Sequence, residues 1–127
     1  MELRDQRGSA LVEMALVLPF LMLVLFGITE FGRAMYITNT LTQAAREGVR
    51  RAAVSEKPLD VGSISANIKA SIPFDQNGLA ISITPASPAH GETITVAISL
   101  PFSPVVPLIE ALNGITLKAQ AKMIYEL

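Results

Sequence analysis

Apolar and polar positions divide the chain into two regimes. From Ala10 to Thr29 the residues are mostly Leu, Val, Ala, Met and Phe, and no charge occurs between Met14 and Thr29. In a helix rising about 1.5 Å per residue this block reaches roughly 30 Å, the thickness of a bilayer core. It predicts a membrane-spanning helix that has to accommodate Glu13 near one end. Pro19 lacks the N–H that would bond to the carbonyl of Ala15, which predicts a bend there and not a break, since membrane helices tolerate proline.

From Glu30 the pattern turns amphipathic, and no helix breaker intervenes before Pro58, so the same helix is expected to continue into water. Ala34, Ile37, Leu41, Ala44, Ala45, Gly48 and Ala52 fall on one face. Within it Ala44, Gly48 and Ala52 recur every four residues, a spacing of small side chains that lets another backbone approach, either the chain's own sheet or another subunit. The other face carries Glu47, Arg50 and Arg51, whose carboxylate can pair with either guanidinium one turn later. Glu30 and Arg33, one turn apart where the helix leaves the apolar block, are a second candidate ion pair, within the chain or between subunits.

Beyond Pro58 and Asp60, Ile64, Ile68 and Ile72 at steps of four predict a short second helix, stopped by Pro73. Asn77-Gly78 is a turn signal ahead of Leu79, Ile81 and Ile83, which alternate as in a half-buried strand. Pro85, Pro88 and Gly91 separate it from Ile94, Val96, Ile98 and Leu100. After a Pro-rich connection with a helical turn expected at Leu108 to Leu112, a last strand runs from Ile115 to Tyr125. Its Leu117, Ala119, Ala121 and Met123 face one way, and Lys118, Gln120 and Lys122 the other. Three successive strands predict an antiparallel meander whose apolar face needs a cover, and the watery half of the long helix supplies one. The fold class expected is α+β: a long N-terminal helix packed on a small three-stranded antiparallel sheet.

Composition narrows the function. Half of the 127 residues are hydrophobic and 17% are charged, which suits a membrane segment plus one small folded unit. A net charge of -1 and a pI near 5.8 give no field that attracts nucleic acid, and no nucleic-acid partner is predicted. There is no cysteine for a disulfide, a thiolate nucleophile or a Cys-based zinc site. His90, the single histidine, lies in an expected loop between Pro88 and Gly91 and reads as solvated. Ser55, Ser63 and Ser65 have no Gly-rich elbow and no His and acid partners, and no phosphate-cradling loop is present. The expectation is a protein that is not an enzyme, with no cofactor and no metal.

The most informative stretch is Arg7-Gly8-Ser9-Ala10-Leu11-Val12-Glu13 running into the apolar block, because it resembles a prepilin-type signal: a short charged leader, a glycine at the cut, and a glutamate fifth in the mature chain. Continuing through Met14-Ala15-Leu16-Val17-Leu18-Pro19, Gly27-Ile28-Thr29-Glu30-Phe31-Gly32-Arg33 and Ala44-Ala45-Arg46-Glu47-Gly48-Val49-Arg50, the first 50 or so residues resemble the TadE-like family of tight-adherence pilus systems. That family often has Phe where Met14 stands. The resemblance implies a pilin-like fold and removal of residues 1–8 by a prepilin peptidase. It further implies a minor pilin or pseudopilin acting with other pilins and the assembly platform of an Flp-type pilus, in surface attachment and biofilm formation.

Together with the apolar pattern it divides the chain into a leader (1–8), a transmembrane helix (9–29), its amphipathic continuation (30–56) and a small α+β domain (57–127). A carboxylate entering hydrocarbon costs on the order of 2.5 to 3.5 kcal/mol on insertion scales, so Glu13 needs a partner. Cleavage would place an ammonium on Ser9, one turn away. Arginines on both sides of the apolar block leave orientation undecided by charge. The resemblance implies a cytoplasmic leader at the inner membrane and an extracytoplasmic domain. A secretory signal is less well supported, since Gly32-Arg33-Ala34 is a poor cleavage site. The alternative is an uncleaved bitopic anchor carrying a binding module.

Overall fold

The computed structural model describes residues 2–106 and 113–127, with side chains described from Gln6 onward; the helical turn expected at Leu108 to Leu112 lies outside the described residues. Helix α1 runs without interruption over Glu2–Ala53, 52 residues and about 78 Å. It passes through Pro19 unbroken. Four threonine hydroxyls, those of Thr29, Thr38, Thr40 and Thr42, donate to the carbonyl four residues back, so α1 satisfies them internally.

The helix ends three residues before the expected Glu56. Ser55 donates its N–H to the Ala52 carbonyl and its hydroxyl to that of Arg51, while the Tyr125 hydroxyl donates to the Ser55 carbonyl. These bonds terminate the last turn where Pro58 would soon have broken the ladder. Helix α2, Val61–Ala70, starts at Asp60, whose carboxylate accepts the Ser63 N–H at 3.0 Å as an N-cap. Its Ile64 and Ile68, and Ile72 just beyond, are buried as their spacing predicts.

Strands β1 (Ala80–Thr84), β2 (Thr93–Pro101) and β3 (Thr116–Ile124) form one antiparallel sheet in the order β1-β2-β3. Leu79 precedes the first strand because its N–H closes a turn onto the Gln76 carbonyl. That turn needs glycine at position 78, where φ is +77° and an added Cβ would sit 2.9 Å from Pro101. In β2, Ile94, Val96, Ile98 and Leu100 all face inward and are buried, giving the strict alternation of a one-sided sheet.

The core forms where that face meets α1 and α2. Ile37, Leu41, Ala44, Ala45, Val49 and Ala52 of α1 pack with Ile64 and Ile68 and with the inward residues of the sheet. The fold is thus the expected α+β arrangement. Met123 departs from the sequence expectation: Leu117 and Ala121 are half-buried and Ala119 is buried, but Met123 is exposed. It lies near the end of the edge strand, opposite Ile94, beside a surface hollow shared with Gln43, Arg46, Glu47 and Arg50, and so escapes full cover.

Candidate functional site

Two regions carry the candidate residues, the apolar half of α1 and the point where α1 meets the folded unit. In the first, every residue from Gln6 to Phe26 is exposed, including Leu11, Phe20, Leu21 and Leu25. A helix apolar on all sides with no cover from its own chain belongs in lipid or against other apolar helices. Length and composition make α1 the membrane-capable helix among the described residues, a fit for a single-pass anchor.

Within this half, Ser9 and Glu13 stand four residues apart on one helical face. Among the described residues no ion pair involves Glu13. Gly8 lies inside the helix, and a Cβ placed there would meet nothing within 4 Å. Its packing therefore does not call for glycine, although glycine weakens a helix interior by about 0.5–1 kcal/mol relative to alanine. Gly27 and Gly32 have equally open surroundings.

At the second region, Glu30 is only 3% exposed. Its Oε2 accepts from Nε and Nη2 of Arg33 at 3.1 and 2.9 Å, and its Oε1 accepts the N–H groups of Val105 and Val106 at 2.7 and 3.2 Å. Arg33 Nη2 also donates to the Ser103 carbonyl, and its guanidinium lies 4.4 Å from the centre of the Phe102 ring. Burial pushes the Glu30 carboxyl upward. The bonds from Arg33, Val105 and Val106, with the Arg33 charge, outweigh that and hold it below the ordinary 4.5.

The spacing of Glu30 and Arg33 anticipates their pairing, but not the segment that joins them. Pro104 and Pro107 flank Val105 and Val106, so that stretch cannot extend a strand ladder and its N–H groups need another acceptor. That is the signal a sequence reading could use. The partner, 75 residues away, is beyond it.

The small-residue stripe is resolved in favour of the chain's own fold. Ala44, Gly48 and Ala52 are buried, and a Cβ on Gly48 would stand 2.5 Å from Ile68 Cδ1 and 3.6 Å from Val96 Cγ1. Glu47 pairs with Arg51 at 2.8 Å, four residues on, and not with Arg50. Both partners are exposed, so this pair contributes little. His90 is exposed in its loop. The outer face of the sheet is a shallow trough floored by Ala80, Ser82, Ala97 and Ser99 and bordered by Lys118 and Gln120.

No curated protein and no solved structure matches the chain. A family model described as TadE-like protein matches residues 8–50, from the open glycine through the uncovered apolar block to Arg50, short of the stripe's last residue, Ala52. Over that stretch, which makes up most of α1 and about a third of the chain, the sequence is similar to the TadE-like family.

Proposed function

We propose that the chain is a minor pilin or pseudopilin of the tight-adherence type, held in the inner membrane by α1 with its N-terminus cytoplasmic and its α+β unit outside. A prepilin peptidase cuts after Gly8, and the new Ser9 ammonium neutralises Glu13 on the same chain or a neighbour. The chain does no bond chemistry of its own. It acts by packing its apolar helix against other pilins and the assembly platform of an Flp-type pilus, and attachment and biofilm formation follow for the cell.

The observation that carries this reading is a conjunction. The TadE-like match begins at Gly8, and the helix that follows is apolar on every side and uncovered by its own fold. Such a surface suits exchange of lipid for neighbouring helices. Gly8 fits a processing role because nothing in the fold requires it.

Determining the N-terminal residue tests the proposal, by intact mass and terminal peptides of membrane-extracted protein from cells with their own pilus machinery. A chain beginning at Ser9 is expected. One still beginning at Met1 overturns the processing step and leaves the anchored binding module as the better account.

A further inference from the structure

We infer that the outer edge of β3 takes an extended, acidic segment of a partner protein as a fourth strand of the sheet. The inference does not depend on cleavage after Gly8 or on entry into a pilus.

The edge itself is open. β3 is an edge strand, and among the described residues no backbone group outside β2 bonds to it. Alternate N–H and C=O groups along it therefore face outward for another strand to meet. Beside it a groove of about 520 Å³ separates β3 from α1, with Val49, Ala121 and the exposed Met123 as its apolar lining and Arg46, Arg50 and Lys122 as its cations. Gln120 to Met123 line it in unbroken succession, so the groove follows the strand and has the shape of an extended chain.

Charge selects the partner. The Glu47 carboxylate is taken by Arg51, and among the described residues Arg46, Arg50 and Lys122 enter no ion pair. On the outer face Lys118 and Lys122 stand opposite Ser99 and Thr95 of β2, so they have no cross-strand carboxylate either. An added strand with carboxylates at alternate positions sets them beside these lysines and lays its other side chains over Met123. A second copy's β3 would bring lysines to the same places and is repelled. A nucleic-acid strand has no peptide N–H or carbonyl to offer the open edge. With Ala10 to Thr29 as the span, the groove's first residue, Gln43, lies about 21 Å along the helix past Thr29, beyond a headgroup layer about 5–8 Å deep, which removes anionic lipid.

The full chain in nonionic detergent micelles is titrated at low salt against a fluorophore-labelled peptide of alternating Glu and Val, read by anisotropy. Saturable binding is expected, weaker by about tenfold in Lys118→Ala/Lys122→Ala and in Arg46→Ala/Arg50→Ala, and unchanged in Lys69→Ala, whose lysine is exposed on α2 outside the groove. All four groove-side cations are exposed, and a denaturation midpoint measured for each variant checks that the fold is kept. The same peptide with every backbone N–H methylated keeps its charge and loses its strand bonds, and it is expected not to bind.

Equal binding of the methylated peptide reduces the groove to a charge trap and overturns strand addition. Equal weakening by Lys69→Ala, or no binding at about 1 mM peptide, overturns the site. Displacement of the peptide by an equal concentration of single-stranded DNA overturns the choice of a protein partner.

Discussion

Glu30 and Val105, separated by 75 residues, are joined by a 2.7 Å bond from the Val105 N–H to the Glu30 carboxylate. The same carboxylate carries Arg33 on its other oxygen, so one buried side chain closes the end of the folded unit nearest the apolar helix. Removing it as Glu30→Ala leaves the Val105 and Val106 N–H groups without an acceptor and leaves Arg33 only the Ser103 carbonyl. The expected loss is about 1–3 kcal/mol, read as a lower denaturation midpoint of the full chain in detergent micelles. An unchanged midpoint would show the bonds to be dispensable.

The same carboxylate sets a pH dependence. Its folded value lies below 4.5, so the unfolded chain takes up a proton first as pH falls. Its stabilising contribution is full above the unfolded value and is lost as pH drops through the lowered folded one. Midpoints measured from about pH 6 down to about pH 3 should fall less steeply in Glu30→Gln than in the native chain. Parallel curves in the two proteins would assign the acid sensitivity to other groups.

Gly48 packs closely against α2, where an added Cβ would stand 2.5 Å from Ile68 Cδ1 and 3.0 Å from its Cγ1. Gly48→Val should destabilise the folded unit by about 1–3 kcal/mol through overpacking against Ile68, despite relieving the glycine's helix penalty. Combining it with Ile68→Ala, which removes the obstructing atoms, should cost less than the two single changes added together. Simple additivity in that cycle would place the strain elsewhere.

Glu13→Gln separates an assembling subunit from a simple anchor. Without a charge to desolvate, the variant should enter membranes at least as well as the native chain, as judged by the fraction retained after carbonate extraction. Pilus-dependent attachment should nevertheless fall, because the Ser9 ammonium that the proposed cleavage would create loses its counter-charge. Undiminished attachment would favour the anchored binding module.

Substitution at the proposed cut site should be structurally silent and functionally severe. Gly8 has open space around it, so Gly8→Val leaves the fold intact while blocking the peptidase. Intact mass should then show residues 1–8 retained. Normal trimming of that variant would contradict the proposed position of cleavage.

Much of this architecture is legible because burial follows simple periods. The steps from Ile37 through Leu41, Ala44 and Gly48 mark the inner face of α1, and the alternation of Ile94, Val96, Ile98 and Leu100 marks that of β2. Local chemistry also shows through at Asp60, Gly78 and the Glu30–Arg33 turn. What periodicity cannot supply is cover that depends on distant chain: Met123 has an inward phase, yet it lies on an edge strand where nothing closes over it.

The site around Glu30 divides along the same line. Its helical half follows from spacing, whereas Ser103, Val105 and Val106 reach it only through tertiary folding. Similarly, Arg50 and Arg51 are equivalent candidates for Glu47 by sequence. The choice of Arg51 is a matter of rotamers on an exposed face.

The folded unit is also fastened at its other end, where Glu126 donates to the Ala53 carbonyl and Tyr125 to that of Ser55. About 35 Å of helix separates this fastening from Glu30. A body tied to a rod at both ends cannot swing about the stretch between the ties without breaking one of them, so a pull or twist on the sheet passes into residues 30–53 of α1. The outer face of the sheet accordingly keeps one bearing relative to that stretch, and a neighbour gripping residues 30–53 of the helix would also fix the direction in which Lys118 and Gln120 look out.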